Sequence, residues 1–259
     1  MIKFTIVTCT YNAASVLQRT LDSVLSQKYT DVEHLILDGL SKDDTVRMAL
    51  EYKTRSENSG NDHEVVVISE KDGGLYDAMN KGIRHATGDY IVFLNAGDTF
   101  PDSDTLDTIA SSIGDGEQLP GVLYGDTNIV DMDHHFLRHR RLTPPKRLTW
   151  RSFKLGMLVC HQAFYARTDL AKETLYNNED YRFSADVDWC IRIMKLCAKR
   201  HLALRNVNAV IVDYLDGGMT NKNHNASLKE RFHVMAKHYG YVQTVFLHLY
   251  FVLRSVVKR

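Results

Sequence analysis

The sequence predicts an α/β fold in which a mainly parallel central sheet is flanked by helices. Three observations predict it. Strand-like and helix-like apolar patterns alternate through the first part of the chain, the order that builds crossovers between parallel strands. The strand-like runs are continuously apolar, as in Tyr90-Ile91-Val92-Phe93-Leu94, which suits strands covered on both faces. These runs stop abruptly at acids or polar turns, and that edge is where open α/β sheets bind ligands.

Phe4-Thr5-Ile6-Val7-Thr8 is the first strand. Residues 14–27 follow as a helix, with Val16, Leu17, Leu21, Val24 and Leu25 at helical spacing and Asn12 or Ser15 as its cap. Residues 33–37 are the second strand and run into Asp38-Gly39. Residues 41–53 are a helix opened by Ser41-Lys42-Asp43-Asp44, a cluster suited to a helix N-terminus. Asn58-Ser59-Gly60-Asn61-Asp62 is a surface loop before a third strand over 64–69. Residues 76–86 are a helix and 90–94 the fourth strand, which breaks into Asn95-Ala96-Gly97-Asp98. Further on, the pattern predicts a helix over 104–113, a short strand over 121–124 followed by Gly125-Asp126, and a strand over 159–165. A helix over 186–196 and a strand over 209–214 complete this part.

Between them, residues 134–154 carry seven Arg or Lys and no acid. Pro144-Pro145 excludes a regular helix there, and the stretch reads as solvated surface or as a lid over a diphosphate. Residues 227–259 read as helical. Their longest uncharged run, 240–253, is shorter than the roughly 20 apolar residues a bilayer span needs. Tyr241, Val245, Phe246, Leu249, Phe251, Val252 and Leu253 make it very apolar, and bases outnumber its one acid, Glu230. Two readings stay open: a helix packed on the domain or on a second subunit, and peripheral docking on an anionic membrane.

The chain has 259 residues, enough for one domain with an appendage, and zero formal net charge, so charge does not nominate nucleic acid as a partner. Cys9, Cys160, Cys190 and Cys197 form no C-x-x-C pair, which argues against a zinc or redox motif and for free thiols in a reducing compartment. Met1-Ile2-Lys3 leads straight into a strand, with no signal-like apolar region. The expectation is a cytoplasmic protein, at the inner face of the membrane if the C-terminal segment docks there.

Asp38, Asp98 and Asp126 directly follow predicted strands, and Asp72 lies on the loop after another. In a parallel sheet such ends share one edge, where clustered carboxylates require a cation or hydrogen-bond donors. Mn2+ or Mg2+ suits oxygen ligands and bridges to phosphates, so a metal-assisted nucleotide site is expected. Each acid taken singly is also an ordinary turn residue. Neither G-x-x-x-x-G-K-[ST] nor G-x-G-x-x-G occurs, which disfavours a P-loop enzyme. The first strand instead runs into Thr8-Cys9-Thr10-Tyr11-Asn12, where a tyrosine can cover a base.

Together with Asp38-Gly39-x-Ser41-x-Asp43, Asp72-x-Gly74-x-Tyr76-Asp77-Ala78-Met79-Asn80-Lys81-Gly82 and Asn95-Ala96-Gly97-Asp98, this motif resembles glycosyltransferase family 2 over residues 1–220. These are inverting enzymes of the GT-A fold, and the similar branch builds bacterial surface polysaccharides. The resemblance implies a single Rossmann-like domain. Residues 1–100 would be its nucleotide-sugar half, 101–222 its acceptor and catalytic half, and 223–259 a C-terminal helical extension. It implies that Thr8, Tyr11 and Asn12 line the base and ribose, that Asp38 accepts a hydrogen bond from the base, and that Asp72 flanks the pocket. Asn80 and Gly82 would lie near the diphosphate. Asp98 would bind Mn2+ or Mg2+ as the remaining acid of a D-x-D-type motif, with Asn95 and Gly97 standing where many relatives carry Asp.

In the second half, Ser184-Ala185-Asp186-Val187-Asp188-Trp189 resembles the family's acidic helix start, with Ala185 in place of Glu and Asp186 as the catalytic base. A helix N-terminus stabilises such an anion. Asp186 and Asp188 stand about 200° apart around a helix, so they do not share one role. Asp188 is read as structural or acceptor-binding, His161-Gln162 as a pair facing the sugar or a satisfied core pair, and Gly217-Gly218 as a loop near the diphosphate. The expected activity is hexosyl or N-acetylhexosaminyl transfer from a nucleotide-sugar, a UDP-sugar first, to a hydroxyl of a glycan or lipid-linked saccharide. The alternatives are a sugar nucleotidyltransferase and a non-catalytic nucleotide- or glycan-binding module of the same fold. A homo-oligomer is compatible with either.

Overall fold

The computed structural model describes residues 1–114, 116, 118–217 and 224–257. The first half alternates as expected: β1 (Phe4–Thr10), α1 (Ala14–Leu25), β2 (Val32–Asp38), α2 (Thr45–Glu57), β3 (Glu64–Ser69), α3 (Leu75–His85) and β4 (Tyr90–Phe93). β1 pairs in parallel with β2 on one side and β4 on the other, and β3 extends the sheet beyond β2. β1, β2 and β4 are buried along their whole lengths, because helices cover both faces. One face packs α1 and α2 through Leu17, Leu21, Ile36, Ala49, Tyr52 and Val65. The other receives α3, which comes so close that a Cβ at Gly82 would stand 2.7 Å from Val7 Cγ1.

The second half adds α4 (Thr105–Ser111), β5 (Val122–Val130), β6 (Phe136–His139), β7 (Phe164–Arg167), α5 (Thr168–Glu173), α6 (Ala185–Lys199) and β8 (Leu204–Leu215). Two helices follow, α7 (His224–Tyr239) and α8 (Tyr241–Val257). All strands join one sheet in the order β3-β2-β1-β4-β7-β5-β6, with β8 also on β5. β7 runs antiparallel to β4 and β5, whereas β8 is parallel to β5.

Four details differ from the sequence expectation. The strand expected over 159–165 is a 3₁₀ turn, His161–Ala163, followed by β7. Asp126 does not follow a strand; it lies inside β5 beside a shift in register and accepts the Thr127 amide. The basic stretch contributes the exposed edge strand β6. The C-terminal helix is two helices, broken where Gly240 takes φ +89°, a conformation that suits glycine. The four cysteines are free thiols, as expected, and all four are buried.

Candidate active site

The C-terminal ends of β1 to β4 face one edge, and their loops carry the predicted donor residues. Tyr11 is 66% exposed, open to stack on a planar group. Asn12, at φ +49°, ties its loop to the next: its side-chain oxygen accepts the Lys42 amide, and its own amide donates to Ser41 Oγ. Thr8 departs from the expected role. It is fully buried and donates to the Leu94 carbonyl while meeting His34 Nε2, so it links strands instead of lining a pocket.

Asp38 departs too. Its carboxylate is buried and accepts from Thr10 Oγ1, Ser41 N, Ser41 Oγ and Ser69 Oγ. A carboxylate offers about four lone-pair sites, and these bonds occupy them. Asp38 therefore braces the ends of β1, β2 and β3 and has no site left for a base. Asp72 remains half-buried at the rim, one oxygen accepting the Gly74 amide at the start of α3. The other lies so near Gly39 that a Cβ there would stand 2.6 Å from it.

Asn80 does not face the edge either. It is buried and pairs with the Tyr176 backbone like a strand, Nδ2 donating to the carbonyl and Oδ1 accepting the amide. It therefore ties α3 to the second half, and Gly82 serves the close approach of the same helix to β1.

The segment Asn95-Ala96-Gly97-Asp98 carried the metal expectation, and its geometry does not fit a bound ion. Asp98 is 4% exposed, with Oδ1 accepting the Leu215 amide and Oδ2 accepting Gln162 Nε2, each at 2.9 Å. Gly97 has φ +101°, a conformation that strains any side chain, and its Cβ position faces the end of the Leu215 side chain at 2.7 Å. Asn95 keeps a buried Oδ1 without a partner among the described residues, an acceptor suited to a hydroxyl donor. The one trio of acids and histidine with ligand atoms within 4.8 Å, among the described residues, is Asp131, Asp133 and His135 after β5. There Asp131 Oδ1 accepts the Asp133 and His135 amides, as a turn-forming aspartate does.

Burial pushes the Asp98 carboxyl up to about 7, against the opposing hydrogen bonds from Leu215 and Gln162. An acid raised on folding binds its proton more tightly in the folded state, so stability falls as pH climbs from about 4 to about 7 and then levels. The Asp98→Asn variant is expected to remove this part of the slope, on the order of 4 kcal/mol. Denaturation midpoints of both proteins across that pH range check it; parallel curves would refute it.

Asp186 occupies the first turn of α6. Its Oδ1 accepts the Val187 amide at 2.9 Å and the Tyr76 hydroxyl at 3.2 Å. Tyr76 lies in the first turn of α3, directly after β3, so this bond brings Asp186 to the same sheet edge. Burial, then the charge of Asp186, raises the Tyr76 phenol well above its ordinary pKa, so it stays a donor. Beneath, Tyr76 stacks on Tyr176 and Tyr176 on Trp189, which gives the acid a rigid floor. Asp186 itself is half-buried, and Oδ2 has no hydrogen bond among the described residues.

The other acceptor-side residues divide. His161 is buried, stacked on Phe93 and bonded to the Tyr176 hydroxyl, and burial lowers it to about 4. It is a neutral core residue, not one facing a sugar. Gln162 is buried as well and serves Asp98. Asp188 is fully buried and holds Arg192, His238 and Lys237. Gly217 has φ +94° just after β8, while Gly218 lies outside the described residues.

Two contributors escaped the sequence reading. Tyr76 stood inside a quoted motif, but spacing does not say where its hydroxyl points. Glu230 of α7 accepts the amides of Arg182, Phe183 and Ser184, fixing the loop that leads into Asp186. Its one signal was being the single acid in a basic segment.

The model of the family described as glycosyl transferase family 2 matches residues 5–173. A PGL/p-HBAD biosynthesis glycosyltransferase of Mycobacterium bovis (strain BCG / Pasteur 1173P2) is 32% identical over 219 residues, covering 84% of this chain and 79% of that protein. An uncharacterized glycosyltransferase of Mycobacterium tuberculosis (strain ATCC 25618 / H37Rv) is 32% identical over 197 residues, covering 74% and 69%. Among solved structures, S. aureus TarS 1-349 in complex with UDP-GlcNAc matches with a TM-score of 0.67 at 16% identity, covering 90% of this chain and 64% of that one. The mannosyltransferase PcManGT from Pyrobaculum calidifontis, in complex with GDP-Man and Mn2+, matches with a TM-score of 0.62 at 18% identity, covering 96% and 70%. At such identities these structures carry the fold alone.

Proposed function

The chain belongs to glycosyl transferase family 2, and from that premise we propose that it moves a sugar from a nucleotide-sugar, a UDP-sugar first, to a hydroxyl of a glycan or lipid-linked saccharide. The acceptor oxygen attacks the anomeric carbon as Asp186 takes its proton. The anomeric C–O bond to the diphosphate breaks, and the nucleoside diphosphate leaves with the bonding electrons. One in-line displacement of this kind inverts the anomeric centre.

A single observation carries the reading: at the start of α6, on the acceptor side, Asp186 is half-buried with Oδ2 free of hydrogen bonds among the described residues, whereas Asp38, Asp98 and Asp188 are buried and bonded. A general base needs an oxygen within reach of the proton it removes. On the donor side, Tyr11 and Asn12 would meet base and ribose, Asp72 would flank them, and the orphaned Asn95 Oδ1 would accept a sugar or ribose hydroxyl. A hexosyl or N-acetylhexosaminyl donor is in keeping with the family. Divalent-metal dependence rests on family membership, the Mn2+ of the mannosyltransferase complex being a property of that protein. The residues at the NAGD segment present no open carboxylate for the ion, so no step is assigned to it.

The test is a thermal-shift screen of UDP-, GDP- and dTDP-sugars with and without Mn2+, since at a fixed ligand concentration the tighter ligand stabilises more, followed by NMR of the product from the best donor. UDP release with an inverted anomeric proton signal supports the reading. Pyrophosphate release from a nucleoside triphosphate and a sugar phosphate would replace it with nucleotidyl transfer. Tight UDP binding without turnover across an acceptor screen would make the chain a binding module.

A further inference from the structure

The helix α8 turns an apolar face to solvent. Tyr241, Val242, Phe246 and Leu249 are 67%, 69%, 67% and 55% exposed. Val242, Phe246 and Leu249 lie on the side of the helix away from the fully buried Thr244, and Tyr241 borders them at the start of α8. A contiguous apolar arc of this kind marks a surface that something covers. No described helix is long and apolar enough to cross a membrane.

Charge decides what covers it. Residues 240–259 contain no acid and carry Arg254, Lys258 and Arg259. The 3₁₀ turn Trp150–Leu155 packs against α8 and belongs to the acid-free basic stretch. Trp150 stacks on Tyr239 at the α7–α8 elbow, Lys154 lies over the Tyr239 ring, and Leu155 is 49% exposed beside the exposed Arg151. The Trp150–Leu155 turn therefore brings Arg151 and Lys154 beside α8, and the sequence of the α8 segment adds bases and no acid. A second copy docked by two-fold symmetry would bring the same cations against each other. An anionic lipid surface would neutralise them and receive the aromatic side chains at headgroup depth.

We propose that α8, with the Trp150–Leu155 turn, is a peripheral docking surface for anionic membrane lipid. α7 is then the strut between that surface and the site. Its Glu230 holds the loop before Asp186, and its His238 and Lys237 hold Asp188 of the same helix. This role for the surface rests on the proposed function: a docked protein would hold the Asp186 edge near the bilayer, where a lipid-linked acceptor would reach it.

The test is co-sedimentation of the full chain with vesicles of phosphatidylcholine alone and of phosphatidylcholine with phosphatidylglycerol. Binding is expected on the anionic vesicles, weakened by high salt. The Phe246→Glu substitution should reduce the partition coefficient at least about tenfold with an unchanged melting temperature, because the side chain is exposed in the free protein. The pair Arg151→Glu and Lys154→Glu should abolish the preference for anionic over neutral vesicles. Equal binding to both vesicle types would overturn the charge argument. Absence of vesicle binding, with a dimer by light scattering that Phe246→Glu dissociates, would assign the face to a second copy and overturn the proposal.

Discussion

Asp186→Asn is expected to lower turnover by about 10²–10⁴-fold, the range that a general base contributes. The amide keeps an oxygen for the Val187 amide and the Tyr76 hydroxyl, so the start of α6 and the aromatic stack below it should persist. Its nitrogen cannot take a proton from the acceptor. Donor affinity by calorimetry and the melting temperature should therefore stay unchanged while kcat falls. A variant with wild-type kcat would remove Asp186 from the role. A variant with weakened donor binding and an equally lowered melting temperature would make its role structural.

The largest stability loss is expected from Asp188→Ala. Asp188 is fully buried, with Oδ2 at 2.6 Å from Arg192 Nε and Oδ1 at 2.8 Å from His238 Nε2. The Lys195 ammonium can only donate, so His238 Nδ1 accepts and Nε2 carries the proton given to Asp188. Burial pushes the Asp188 carboxyl up, but the bond from His238 and the Arg192 guanidinium outweigh it and hold it below the ordinary range. Removing it leaves cations without their anion at the junction of α6 and α7. The loss should be about 3 kcal/mol, the low end for a broken buried pair, because Arg192 and Lys237 reach solvent. Denaturant titration measures it, and faster amide exchange in α7 than in β1 locates it. The depressed pKa gives the pH sign: the contribution is present above the usual carboxylate range and fades as pH falls through the lowered value. A variant within 1 kcal/mol of wild type, roughly the scatter of surface substitutions, would show that α7 is held otherwise.

The parallel half of the fold was legible because its signal is local and redundant. β1, β2 and β4 are apolar on both faces, and the intervening helices repeat at helical spacing. The turn at His161–Ala163 was not, since an apolar run of that length has no period to separate strand from turn. The acids show the same division. The position of Asp38 at the end of β2 followed from the pattern, yet two of its four hydrogen bonds come from Thr10 and Ser69 on neighbouring strands, beside the two from Ser41 in the following loop. Asp98 follows β4 as the pattern required, and is turned inward by Leu215 and Gln162, residues more than sixty positions away.

The sequence by itself determined the layered α/β architecture, the edge that carries the candidate site, the family, and the candidacy of Asp186 at the start of α6. Periodicity, strand-end acids and motif order are one-dimensional properties, and the chain carries them whether folded or not. Only the tertiary structure decided which candidates are open and which are braces. Side-chain direction and burial depend on packing partners distant in sequence: Leu215 of β8 lying against Gly97, α7 capping the loop before α6, and Tyr76 reaching across from α3. That packing leaves Asp186 half-buried beside Tyr76 with Oδ2 free of hydrogen bonds among the described residues, and it commits Asp38, Asp98 and Asp188 to holding the fold in place.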